Sequence, residues 1–254
     1  MRMLALAAVF NHQQHWIETL VRSLIDQDHD DEIDILILDD RKEGFEPHRY
    51  THTFLGPTGA KRRVYMVKMP GRAPNLLTKY AHGIHFANEI QGIQYDAVCV
   101  VDDDDIYLKD HISQHAAVLK DSVWSYPSRV YSTYMHQFRV EDSGGRFWAS
   151  SAYRRTALEG IGGYNHVYRD VLDPAFDQLF LHRMRVAYGE AGHQVSPTYV
   201  YMWDMTHDNH SSGHIENGVW KYGEIPESPA TGPLIPQYSE KALEVHEMAK
   251  VFRA

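Results

Sequence analysis

Four consecutive aspartates, Asp102–Asp105, close the short and mostly apolar run Asp96–Val101. Adjacent carboxylates repel, and burying any of them unpaired is costly. Something cationic must hold them together. Hard divalent cations choose carboxylate oxygen, and Mg²⁺ or Mn²⁺ links one or two carboxylates to a substrate diphosphate. The competing reading is an acidic turn that caps the following helix. A second pair, Asp39-Asp40, ends the apolar run Ile33–Leu38. An acid at such a strand end accepts hydrogen bonds from a ribose or base, although alone it serves equally well as a turn former. A third group is the histidines of Thr206–His214, namely His207, His210 and His214. Three histidines so close could form a metal site of their own, but their spacing is not that of a helical pair, and loop histidines are often simply solvated.

The elements that must position these groups are legible in the first half of the chain. Met3–Phe10 is a continuous apolar run, as expected of a strand buried on both faces of a parallel sheet. After a polar turn, Ile17, Leu20, Val21, Leu24 and Ile25 mark one face of a helix. Ile33–Leu38 is the second strand of this β–α–β unit. Residues 41–60 show no periodicity and read as loop. Arg63–Met69 reads as a third strand, Leu76–Ala87 as a second helix, and Asp96–Val101 as another strand. The order predicts a Rossmann-like, mostly parallel sheet flanked by helices. Ligands bind at the carboxyl ends of such strands, and both aspartate groups fall there.

The second half is less regular. Residues 123–153 mix aromatic and β-branched residues with turns and add further strands. Gly160–Gly163 is a turn. Asp173–Tyr188 reads as a helix with Phe176, Leu179, Phe180 and Met184 along one side. Pro226–Pro236 is a loop or linker. Ser239–Phe252 reads as a C-terminal helix, with Ser239 as N-cap and Leu243, His246/Glu247 and Val251 spaced by turns. Residues 1–214 form one domain, a donor-binding half (1–108) and an acceptor half (109–214), and residues 215–254 form a Pro-rich linker and helical tail.

Taken in order, these pieces resemble the family-2-like GT-A glycosyltransferases, especially the small spore-coat type, over residues 3–212. Ala8-Val9-Phe10-Asn11 looks like the first-strand end that meets the nucleobase, without the Pro-Thr that usually begins it. Leu36-Ile37-Leu38-Asp39-Asp40 looks like the second-strand end whose first Asp binds the base. Thr78-Lys79-Tyr80-Ala81 looks like the helix segment that carries an Arg at the position of Lys79. Val101–Leu108 looks like the DXD motif with its trailing apolar turn, and Gly162-Gly163-Tyr164 like the acceptor-side turn. Asp177, followed by Phe180 and Arg183, looks like the helix of the catalytic Asp, with Phe176 where the family has a Glu. The resemblance implies nucleotide-sugar contacts by Val9, Phe10, Asn11, Asp39, Lys79, Asp102 and Asp103. It implies Mn²⁺ or Mg²⁺ on Asp104 and Asp102, with His207 as a further ligand. Asp177 would be the general base of a single in-line, inverting displacement, with a UDP-sugar favoured as donor.

Composition bounds the alternatives. No apolar run is long enough to cross a bilayer, and no signal-peptide pattern opens the chain, so a soluble, cytoplasmic protein is expected. The single cysteine, Cys99, excludes an intrachain disulfide and a Cys-based zinc site and reads as a small core residue. The net charge of −9 is uneven: residues 41–82 carry nine bases against two acids, a local +7. That asymmetry suits either a solvated face paired with acids elsewhere or contact with a polyanion. It keeps open a hydroxylated base in DNA as acceptor, beside a saccharide, and a non-catalytic nucleotide- or polyanion-binding module. A nucleotidyltransferase is disfavoured, because its Gly-rich, basic first loop is replaced here by Phe10–Gln14.

Overall fold

The computed structural model describes residues 1–9, 14–40, 49–69, 71, 73, 76–133, 137–144, 148–164, 176–202, 214–216, 219–221 and 234–253. The chain opens with β1 (Met3–Val9), α1 (Gln14–Ile25) and β2 (Ile33–Asp39), then β3 (Arg49–Leu55), β4 (Lys61–Lys68) and α2 (Leu76–His85). After α2 come β5 (Ala97–Asp102), β6 (Ile106–Tyr107), α3 (His111–Val118), β7 (Trp124–Ser125), β8 (Arg129–Ser132), β9 (Arg139–Asp142) and β10 (Ala152–Arg154). The remainder is α4 (Arg155–Gly160), α5 (Phe176–Tyr188), β11 (Tyr199–Tyr201), β12 (His214–Glu216), β13 (Val219–Lys221) and α6 (Glu240–Arg253).

A seven-stranded sheet in the order β3-β4-β2-β1-β5-β10-β7 forms the centre. Its four inner strands, β4, β2, β1 and β5, are parallel, and β3 and β10 pair antiparallel at either side. β1 and β2 are buried along their whole length, which is why both read as unbroken apolar runs. The odd-numbered residues of β1 face α1 and α3, and the even-numbered ones face α2 and α5. Ile17, Leu20, Val21 and Leu24 of α1 are wholly buried, each stabilising the fold by roughly 1.5–3 kcal/mol relative to exposure. α2 approaches the sheet closely at Gly83, where a Cβ would lie 2.7 Å from methyls of Leu6 and Leu38.

A second sheet, β6-β11-β8-β9, lies beside the first. α6 packs on it through Ala242, Val245 and Ala249. The expected cap is present, Ser239 Oγ accepting from Ala242 N at 3.2 Å. The buried face differs from the expected one: Leu243 and Val251 are exposed, and small residues line the interface. The tail is also strapped to α1, where Glu18 accepts from Ile235 N (3.1 Å) and Gln237 Nε2 (3.1 Å).

Two further expectations change. Residues 41–60 are not all loop, because β3 occupies 49–55 and returns to β4 through a turn at Gly56–Ala60 with Gly59 at φ 81°. β3 is a mostly exposed edge strand, so its sequence carries no apolar period. On α5 the buried set is Phe180, Leu181 and Met184, while Leu179 faces outward.

Candidate nucleotide and metal site

The sheet register brings the two aspartate groups to one edge. Val9 is level with Asp39, and Ala8 is level with Asp102. Asp39 and Asp102 therefore flank the end of β1 from either side, two strand spacings apart, about 10 Å. Asp39 is buried (1% exposed), as are Asp40, Asp103, Asp104 and Asp105.

The turn after β5 folds the aspartates back on themselves. Carboxylate oxygens of Asp102, Asp104 and Asp105 lie within 4.8 Å of one another, a separation that one cation can bridge. Asp103 stands outside this group. Both flanks of the turn are anchored. The Tyr107 hydroxyl accepts from Asp102 N (2.7 Å) and donates to Ala149 O (3.1 Å). Asp105 accepts from Tyr199 Oη (2.5 Å) and Met202 N (3.0 Å), which ties the turn to β11. Burial raises the Asp105 carboxyl far above the usual range, and the neighbouring Asp104 and Asp102 charges push it the same way. Three carboxylates whose oxygens lie this close form an oxygen donor set that suits a hard divalent cation. In the sequence Asp105 belongs to the aspartate group without an individual role; the turn brings its carboxylate to those of Asp102 and Asp104.

Lys79, from α2, is buried against the protein. Its ammonium donates to Val9 O (2.6 Å) and Asp40 Oδ1 (2.7 Å), and Asp40 Oδ2 accepts from Ala73 N (3.0 Å). It thus pins the end of β1 to the residue that follows β2. Nearby, Tyr80 and Tyr164 lie 5.7 Å apart beside Trp148 and Phe180. The Tyr80 hydroxyl, its ionisation suppressed by burial and then by Asp102, is close enough to feel the aspartates. Gly162 and Gly163, at φ 82° and 65°, make the turn that delivers Tyr164.

Asp177 is the second residue of α5, one turn before Phe180, which packs on Tyr164 with ring centroids 5.1 Å apart. The Asp177 side chain, together with Phe10, Asn11 and His207, lies outside the described residues.

The basic segment is largely directed inward where it is described. Arg62 is wholly buried and donates to the carbonyls of Gln27 (3.0 Å), His29 (2.6 Å) and Asp31 (2.8 Å). Arg63 pairs with Asp34 (2.6 Å) and Glu32 (2.8 Å), and Lys79 with Asp40. No helix among the described residues is long and apolar enough to cross a membrane.

No family model matches the sequence, and no curated protein matches it. Solved structures do. The chain is similar to S. aureus TarS 1-349, with a TM-score of 0.55 at 16% identity, over 80% of this chain and 60% of that one. It is similar to the same protein in complex with UDP-GlcNAc (TM-score 0.55, 15% identity, 85% and 62% covered) and with UDP (TM-score 0.56, 16% identity, 80% and 60% covered). The chain thus spans about 60% of the length of these structures. The likeness establishes the fold alone, the GT-A type of α/β fold expected from the sequence.

Proposed function

We propose that the protein is a metal-dependent glycosyltransferase that moves a sugar from a nucleoside diphosphate, UDP by preference, to a hydroxyl acceptor. The observation that carries this reading is the convergence of Asp39 and the Asp102–Asp105 turn on the end of β1. One strand end offers acceptors for a base and ribose, and the other offers a seat for a cation. The S. aureus TarS structures with UDP and UDP-GlcNAc make a uridine donor the first to test.

Asp39 accepts from the base, and Val9, Phe10 and Asn11 line its face. Lys79 acts here as a positioning residue, since its ammonium fixes the Val9 carbonyl and Asp40 in place. Asp103 and Asp102 face the ribose and diphosphate. Asp104 and Asp102 would hold Mn²⁺ or Mg²⁺, with His207 as a further ligand, while Asp105 fixes the turn. A cation so held neutralises charge that develops on the leaving diphosphate. Asp177 takes the proton of the acceptor hydroxyl from the face opposite the leaving group, and inversion at the anomeric carbon follows.

A saccharide hydroxyl is favoured over a base in DNA. The DNA reading rested on the local charge of +7, yet Arg62, Arg63 and Lys79 are engaged within the protein. Strongly salt-dependent binding to duplex DNA would reopen it.

The test is nucleoside diphosphate release from a panel of nucleotide sugars, with simple saccharides as acceptors. Release that needs Mn²⁺ or Mg²⁺ and disappears in Asp104→Asn supports the reading. No release from any donor, with or without acceptor, argues for a binding module instead.

A further inference from the structure

A second cluster of metal-binding side chains lies in the core, away from the aspartate turn. Cys99 of β5 and His111 and His115 of α3 are each wholly buried. One ligand atom from each lies within 4.8 Å of the others. A single cysteine argued against a zinc site in the sequence; α3 supplies the missing ligands, because residues four apart share one helix face.

The hydrogen bonds define what each ring has left to offer. The Thr198 hydroxyl donates to Gln194 Oε1 (3.0 Å), so it accepts from His111 Nδ1–H (2.8 Å). His111 Nε2 then carries its lone pair and accepts from the Cys99 thiol, 3.5 Å away. His115 Nδ1 is engaged by Ser125 Oγ (2.9 Å). Its Nε2 is buried and has no hydrogen-bond partner. The ring is wholly buried, where burial favours the neutral imidazole and the Ser150 backbone pulls the other way. Hydroxyls on the far nitrogens are the outer-shell arrangement that orients metal-ligating imidazoles. Metal–sulfur and metal–nitrogen bonds of about 2.3 and 2.1 Å place sulfur and nitrogen roughly 3.6–3.8 Å apart around one ion. The Cys99–His111 separation of 3.5 Å lies just under this range, so a small adjustment seats an ion. A purely structural role explains the Nδ1 bonds and the Cys99–His111 contact, but leaves the buried His115 Nε2 without a well-formed hydrogen bond, the Ser150 backbone making only a marginal contact with the ring.

We propose that Cys99, His111 and His115 form a second metal centre for a thiophilic d¹⁰ cation, Zn²⁺ or Cu⁺. It differs in chemistry from the aspartate site, with one sulfur and two nitrogens in place of oxygens. On binding, the Cys99 S–H bond breaks, the sulfur–metal bond forms, and the proton leaves to solvent. The ion fastens α3 to β5 three residues before Asp102. Tyr107, which holds Asp102 N, packs on the His111 ring at 4.8 Å, so the centre braces the strand end that carries the aspartates.

The test is elemental analysis of the full chain, purified without chelator and also refolded with Zn²⁺, with Cu⁺ under anaerobic reducing conditions, or with Co²⁺. We expect about one ion per chain, retained by the native protein in EDTA and released on unfolding. Whichever ion is retained identifies the occupant. The Co²⁺ form should show a thiolate-to-metal charge-transfer band in the near ultraviolet. Asp104→Asn should keep both signals, and Cys99→Ser and His115→Gln should lose them. If these variants do not fold, the wild-type stoichiometry and cobalt spectrum decide. Substoichiometric metal in every arm, with the refolded chain native by circular dichroism, overturns the proposal, whatever the enzyme assay shows.

Discussion

Asp34 and Asp105 are both buried carboxylates, near opposite ends of the parallel strands. Asp34, at the amino end, sits against Arg63 at 2.6 Å and within 3.8 Å of Arg2, which also engage Glu32. Asp31 takes the chain's own amino terminus at 2.8 Å. Asp105, at the carboxyl end, accepts from two neutral donors among the described residues, Tyr199 Oη and Met202 N, and has two more carboxylates beside it. One end of the sheet is electrostatically closed by the protein itself. At the other end three carboxylates crowd within 4.8 Å, an arrangement that suits a divalent cation bridging to a diphosphate.

The comparison breaks most visibly at the open end. Asp104→Asn should lower turnover by about a thousandfold or more, the scale of losing a metal's charge stabilisation. Thermal unfolding of the metal-free protein should be unchanged or slightly raised, since a repulsive charge is gone. Asp177→Asn should lower turnover by about 10²–10⁴ with nucleotide affinity intact, as steady-state kinetics beside calorimetry would show. At the closed end the effects reverse. Arg63→Met should cost roughly 3 kcal/mol of stability, by urea unfolding, because it strands the buried Asp34 charge. Nucleotide binding should survive.

The smallest effect is a pH dependence at the same closed end. His29, whose Nε2 donates to Met1 O at 2.7 Å, is held below its ordinary value of 6.5, chiefly by burial. A lowered folded value means that its contribution is complete above 6.5 and is lost as pH falls. Unfolding free energy should decline from pH 7 toward pH 5 with a slope of at most ~1.4 kcal/mol per unit from this group. His29→Gln should flatten that slope.

Much of the open end could be read directly from the chain. Apolar runs that stop at Asp39 and Asp102 define strands buried on both faces, and parallel packing then forces their ends together. What escaped was set by tertiary contact. β3 lies at an exposed edge, where no apolar alternation is needed. The C-terminal helix buries Ala242, Val245 and Ala249 because small side chains let it lie close to the second sheet, so Leu243 and Val251 mislead. Lys79 reads as a ligand contact by position, yet its ammonium is directed to Val9 O and Asp40. The Cys99–His111–His115 cluster spans two elements. Its one signal in the sequence is the pair of histidines four residues apart on α3.

The most direct test of the central claim is calorimetry of UDP binding to the intact protein, with and without Mn²⁺, beside GDP, ADP and dTDP. The account predicts binding of UDP that requires the cation and is lost in Asp104→Asn. Equal binding without metal, or no binding of any nucleotide with any metal, would contradict it and reduce the aspartate turn to an element of structure.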